Sequence, residues 1–91
     1  MRLNIITPEG TLVDQEVDRV ELPGLMGRFV VLRNHAPLVS ALTEGDIVFG
    51  EMAGPSAPLS DRQENSPESR IRISSGFVEV VDNHIIACVE V

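Results

Sequence analysis

Turn signals recur closely along this chain, and no segment of helical length between them shows a convincing three-to-four apolar spacing. Pro8-Glu9-Gly10, Pro23-Gly24 with Gly27, Pro37, Glu44-Gly45 and Asp82-Asn83 each interrupt the backbone with residues that fix φ or tolerate its positive values. Between them lie short runs: residues 3–7, 11–13, 17–22, 29–32, 38–42, 46–49, 70–74, 76–81 and 84–91. None carries the three-to-four spacing of a helix face. The runs are rich in strand formers, with 19 Val and Ile against 5 Ala in the chain, and β-branched side chains pack better on a pleated surface than on a helix. Frequent reversals between short β-prone runs predict an all-β sandwich or barrel, a single domain over residues 1–91.

Local patterns sharpen this. Val20 and Leu22 alternate with Arg19 and Glu21, and residues 70–74 alternate Arg with Ile, as half-exposed strands do. Val17 has the opposite parity from Val20, which predicts a bulge or break near Asp18. Residues 29–32 read as a short buried strand. Asp82-Asn83 predicts a tight two-residue hairpin turn, because both residue types accept positive φ. Residues 53–69 contain Pro55, Pro58 and Pro67 and only Leu59 as a large apolar side chain, so this stretch reads as a flexible loop.

Charge excludes several functions. Fourteen acidic residues face seven basic ones, all Arg, for a formal charge of −7. A chain this negative is repelled by phosphate backbones and by anionic lipid, which argues against nucleic-acid binding and unaided membrane docking. Unbroken apolar runs reach only residues 29–32 and 85–89, far short of the roughly 20 residues a membrane helix needs. The single cysteine, Cys88, has no internal disulfide partner, which fits a reducing compartment. A soluble, cytosolic protein that meets a membrane only through partners is the expectation.

Catalytic and cofactor motifs are sparse. A P-loop needs Lys, which this chain lacks, and Gly24-Leu25-Met26-Gly27 is too thin for a dinucleotide fingerprint. His35, His84 and Cys88 share no metal-ligand spacing, so no cofactor is expected. His84 and Cys88, four apart, fall on one strand face; the plainer reading is a polar strand start and a small buried thiol. Asp14, Glu16, Asp18 and Glu21 read as a solvated strand face, and Arg70 with Arg72 as another. A relay of Ser74 or Ser75 with His84 and Asp82, or of Cys88 with His35, has no supporting local motif.

One stretch is more particular. Leu22-Pro23-Gly24, Gly27-Arg28-Phe29-Val30-Val31-Leu32 and Asn34-His35-Ala36-Pro37-Leu38-Val39-Ser40-Ala41-Leu42 together resemble the signature of the epsilon subunit family of the F-type ATP synthase. The flanks agree in order: Leu3-Asn4-Ile5-Ile6-Thr7-Pro8-Glu9-Gly10 is similar to the family's first strand and turn, and Ser74-Ser75-Gly76-Phe77-Val78-Glu79-Val80 to the strand of its closing hairpin. The resemblance implies a two-sheet antiparallel β-sandwich at the foot of a rotating central stalk. Its implied partners are the gamma subunit and the membrane ring of c subunits, and its role is to couple ring rotation to the catalytic hexamer without bond chemistry. The implied location is peripheral, on the cytoplasmic face of the inner membrane.

By matching positions, Arg28, Phe29, Asn34, His35, Ala36 and Pro37 are implied to face the c-ring, and Thr7 and Ser40 to face gamma. His35 has a second reading as a cap on the turn before Pro37, and Thr7 as a strand-end hydroxyl. Relatives usually carry an acidic residue where Arg28 stands and Pro-Gly where Arg33-Asn34 stands. Arg28 and Arg33 are thus expected to add positive charge to the ring-facing surface. The C-terminal two-helix segment of many relatives, with its braking and ATP binding, is not expected in residues 1–91, which end with the sandwich. The alternative from another class is a small β-barrel enzyme or ligand binder in which His35 and His84 converge inside.

Overall fold

Alternation along each strand assigns one face to the core. The structure, a computed structural model, describes residues 1–50 and 68–91. Along β1 (Arg2–Thr7), Leu3, Ile5 and Thr7 are buried while Arg2, Asn4 and Ile6 face outward. The same alternation runs through β8 (Ser75–Val81), which buries Val78 and Val80, and β9 (His84–Glu90), which buries Ile85, Ala87 and Val89. From the opposite layer come Val20 and Leu22 of β3 (Arg19–Gly24), Val31 of β4 (Gly27–Leu32), Ile47 and Phe49 of β6 (Gly45–Gly50) and Ile73 of β7 (Glu68–Ile73). Two apolar faces meet and exclude water, the dominant favourable term for a chain of this size. β2 (Gly10–Glu16) and β5 (Leu38–Leu42) complete the strands of the described residues.

In the described residues the sandwich is one coiled sheet of nine strands in the order β2-β1-β9-β8-β5-β3-β6-β7, with β4 paired to β3. β5 pairs with β3 in register only at Leu42 and Gly24, flanked by hydrogen bonds from the Leu25 amide to the Ala41 carbonyl and from the Thr43 amide to the Pro23 carbonyl, so this corner is where one layer turns into the other. Among the described residues all pairings are antiparallel except β1 with β9, which run parallel from Arg2 beside His84 to Ile6 beside Cys88. The expected two-layer all-β architecture is therefore present, with its layers continuous and one pairing parallel. The turn at Asp82 and Asn83 has φ of 50° and 60°, as a two-residue hairpin requires. The break near Asp18 is also present: β2 ends at Glu16 and β3 begins at Arg19, which lets both Val17 and Val20 enter the core.

Two expectations need correction, and a third falls almost wholly outside the described residues. Residues 29–32 do not form a buried strand. β4 pairs only with β3, so Val31 alone is fully buried, while Val30 and Leu32 are 40% and 50% exposed on its other face. Cys88 is half-buried rather than a core thiol, because Ile85, Ala87 and Val89 take the inner positions of β9 and leave Cys88 on the outside. The expected loop at 53–69 lies outside the described residues except for its end: Glu68 and Ser69 are in β7, paired with Gly50 and Phe49.

Candidate functional site

Catalytic chemistry has no assembled site among the described residues. His35 Nδ1 donates to the Ala36 carbonyl at 2.6 Å, and exposed His84 donates from Nε2 to Asn4 Oδ1 at 2.6 Å. Neither ring enters the interior, where Thr7 is the only buried polar side chain described. The convergence of His35 and His84 required by the enzyme or ligand-binder alternative is therefore contradicted. The described residues contain no group of three or more potential ligands placed to hold a metal ion. No helix in them is long and apolar enough to cross a membrane.

What the sandwich offers instead is two unlike outer faces. On the layer β5-β8-β9-β1, register aligns Ala41, Phe77, Cys88 and Ile6 in one row, with Phe77 opposite both Ala41 and Cys88. The next row aligns Val39, Glu79, Ile86 and Asn4. Val39 is 74% exposed and Phe77 55%. Beside this row an open groove of about 370 Å³ is lined by Ile6, Thr7, Pro8, Phe77, Cys88 and Glu90, among others. Single exposed apolar residues are ordinary, but a contiguous apolar set on one sheet face marks an interaction surface.

The opposite outer face is charged and internally matched. Arg28 Nε donates to Glu21 Oε1 at 2.9 Å, and Arg19 Nη2 lies 3.3 Å from Glu21 Oε2. Arg70 and Arg72 both reach Asp46, at 3.7 Å, and Arg72 also approaches Glu44 at 3.6 Å. The hydrogen bond from Arg28, followed by attraction to Arg28 and Arg19, holds the Glu21 carboxyl below the usual carboxylate range. Near the edge of the apolar layer the Arg2 hydrogen bond does the same for Asp14. Every arginine among the described residues takes part in an ion pair.

The residues matched to a ring contact fall into two places. Arg28 and Phe29 sit near the β3–β4 hairpin tip, where Leu25 is 66% exposed and Met26 99%. Phe29 packs partly against the core, opposite Leu22. Asn34, His35, Ala36 and Pro37 follow the other end of β4, about 17 Å away along a strand of this length. Arg28 and Arg33 do not present free positive charge, because Glu21 neutralises the first and Asp18 the second. The departure seen in the sequence is compensated within the chain.

Thr7 and Ser40 are likewise apart. β9 and β8 separate their strands. Thr7 is 7% exposed, and its Oγ1 donates to the Gly10 carbonyl at 3.1 Å while accepting from the Glu9 amide at 3.2 Å. It closes the β1–β2 turn. Ser40 is half-buried and donates to the Ala41 carbonyl at 3.1 Å.

The sequence model of the family described as ATP synthase, Delta/Epsilon chain, beta-sandwich domain matches residues 1–91, the whole chain. The chain belongs to that family. Among similar Delta/Epsilon proteins, the ATP synthase epsilon chain of Maridesulfovibrio salexigens is 35% identical over 89 residues, covering 98% of this chain and 54% of that one. That of Chlorobaculum tepidum is 38% identical over 88 residues, covering 97% of this chain and 86% of that one. That of a Sulfurovum species is 38% identical over 89 residues, covering 98% and 59%. The chain thus spans little more than half the length of the Maridesulfovibrio and Sulfurovum relatives. The same fold occurs in a chain of the Tetrahymena thermophila mitochondrial ATP synthase central stalk and c-ring structure. There the TM-score is 0.74 at 15% identity, over 100% of this chain and 63% of that one. A chain of the Euglena gracilis mitochondrial enzyme gives 0.75 at 20% identity, over 96% and 48%.

Within this Delta/Epsilon sandwich, sequence reasoning missed the apolar outer face. Its signal was available in residues 76–81, where Phe77 is out of phase with Val78 and Val80. It was available too in residues 85–89, a run that is apolar at every position and therefore apolar on both faces of a strand. The exposed Leu25 and Met26 lay between two turn glycines and gave no periodic signal.

Proposed function

We propose that this chain is an epsilon-type subunit in the central stalk of a rotary, proton-translocating ATP synthase, where it couples rotation of the c-ring to gamma and the catalytic hexamer. The match of a Delta/Epsilon sandwich model to the entire chain carries this reading. Its role is mechanical. A coupling element must deform little under torque, and a close-packed core enclosed by a continuous hydrogen-bonded sheet meets that need. The layers join through Leu42 and Gly24, and the long-range pairing of β1 with β9 ties the first strand to the last.

Two surfaces divide the work. The apolar face built from Val39, Ala41, Phe77, Ile86 and Cys88 suits a lasting contact with gamma, since obligate interfaces resemble a core cut in half. Thr7 lines the groove beside it, whereas Ser40 has the opposite parity from Val39 and Ala41 on β5, beside buried Val78, and adds nothing to this face. The 34–37 loop, with His35, suits polar contacts with c-subunit loops, while the hairpin tip beside Arg28 and Phe29 offers the exposed apolar side chains Leu25 and Met26. Membrane association then comes only through the complex, on the cytoplasmic face of the inner membrane.

A pull-down of the tagged chain from detergent-solubilised membranes tests the assignment. Recovery of gamma and c subunits together is the expected result. A chain recovered alone, from membranes in which the rest of the synthase is intact, would overturn it.

A further inference from the structure

We infer that Asn83, on the β8–β9 turn, is a positioning residue that clasps the 33–37 loop and holds His35 in its presented conformation; this rests on the proposed ring contact of that loop. The Asn34 amide donates to Asn83 Oδ1 at 2.6 Å, and Asn83 Nδ2 donates back to Asn34 Oδ1 at 3.0 Å. Both polar atoms of the Asn83 carboxamide are thus spent on one residue 49 positions away in the sequence. Asn83 is itself anchored, because its carbonyl accepts from the Arg2 amide at 2.9 Å and its backbone closes the tight turn with Asp82. The clasp therefore fastens the loop to the rigid β1-β9-β8 layer rather than to another loop.

The loop needs such a fastening. Asn34 has φ of 66°, a left-handed conformation that side chains other than Gly adopt rarely and Asn adopts when its short amide finds a local partner. Here the Asn83 carboxamide supplies a partner that holds it. His35 follows directly. Its amide donates to the Leu32 carbonyl at 3.2 Å and its Nδ1 is committed to the Ala36 carbonyl, so among the described residues Nε2 is left without a hydrogen bond. A loop already fixed in this form meets a partner without further ordering, and loss of that preorganisation weakens binding rather than folding.

The test uses Asn83→Gly in the full chain, because Gly keeps the positive φ of the turn while deleting the clasp. Asn83→Asp is the graded variant, since it retains the acceptor for the Asn34 amide and loses only the return donor. Three readouts are taken: hydrogen exchange at the Asn34 and His35 amides, association with isolated gamma, and rebinding of stalk complexes carrying the chain to stripped membranes that retain the c-ring. The expected result for Asn83→Gly is exchange at Asn34 faster by tenfold or more, membrane rebinding weaker by roughly tenfold, and unchanged gamma association. Asn83→Asp should fall between it and wild type. Unchanged exchange at Asn34 would overturn the clasp. Faster exchange with unchanged rebinding, while His35→Ala weakens rebinding, would overturn its positioning role and leave the ring contact standing. Unchanged rebinding in both variants would remove the ring contact itself, and the role inferred for Asn83 with it.

Discussion

Arg28 binds Glu21 across the β3–β4 pairing, Nε to Oε1 at 2.9 Å, and the same guanidinium donates through Nη2 to the Asp46 carbonyl on β6 at 2.9 Å. One side chain thereby links three adjacent strands of the charged face. In sequence, Arg28 looks like a free charge offered to a partner; in the fold, that charge is already matched.

Arg28→Ala should therefore lower stability by about 0.5 to 1 kcal/mol, the range for a partly exposed pair with a backbone hydrogen bond. Arg28→Glu should lower it further by placing like charges across the strand pair. Urea titration at low and high salt checks this, and the gap between the two variants should narrow as salt screens the charges. An Arg28→Glu protein as stable as wild type at low salt would show that the pair does nothing for the fold.

The same pair sets a pH dependence. Glu21 has its folded-state pKa lowered by the Arg28 hydrogen bond, so the unfolded chain binds its proton first as pH falls. Its contribution to stability is thus present above the unfolded pKa, at neutral pH, and is lost as pH drops through the folded value. Wild type should lose more stability than Arg28→Ala between neutral and acid pH. Identical acid limbs in the two proteins would contradict this.

Gly76 is fixed by close packing rather than by φ. A Cβ there would lie 2.5 Å from the Cys88 carbonyl and 3.0 Å from Val89 Cα, both backbone atoms of the paired strand. Gly76→Ala should destabilise by about 2 kcal/mol or more, since β9 would have to shift. Chemical denaturation measures it, and a loss under 0.5 kcal/mol would show that the strands separate freely.

Thr7 closes the β1–β2 turn through its hydroxyl. Thr7→Val keeps the shape and removes both hydrogen bonds, so it should lower stability by about 1 kcal/mol, while Thr7→Ser should stay near wild type. Equal melting of the two variants would shift the importance of Thr7 from its hydroxyl to its surface.

The outer apolar row is expected to serve binding. Phe77→Ser and Val39→Ser should each leave stability within about 1 kcal/mol, because both side chains are exposed. Gamma association should weaken tenfold or more for Phe77→Ser, the larger contact. Full association with both substitutions combined would place gamma on another face.

Much of the fold was legible because its signals are local. Turn residues at Pro8-Glu9-Gly10 and Asp82-Asn83 and the parity change between Val17 and Val20 each depend on a few neighbouring positions. The parallel pairing of β1 with β9 joins Arg2 to His84, and nothing within either strand specifies that partner. Ion pairing of Arg33 with Asp18, and the clasp of Asn34 by Asn83, also depend on where the fold brings distant residues together. For the same reason the candidate surface was only partly legible. The His35 loop carried a distinctive local motif, whereas the row from Ala41 through Phe77 and Cys88 to Ile6 exists only once four strands are in register.

ATP-driven proton pumping tests the coupling role most directly. Stripped membranes that retain the c-ring are rebuilt with catalytic complexes prepared with or without this chain, and hydrolysis and pumping are measured together. The account predicts hydrolysis in both preparations, with pumping restored only when the chain is present. Equal pumping per ATP hydrolysed without the chain would contradict it.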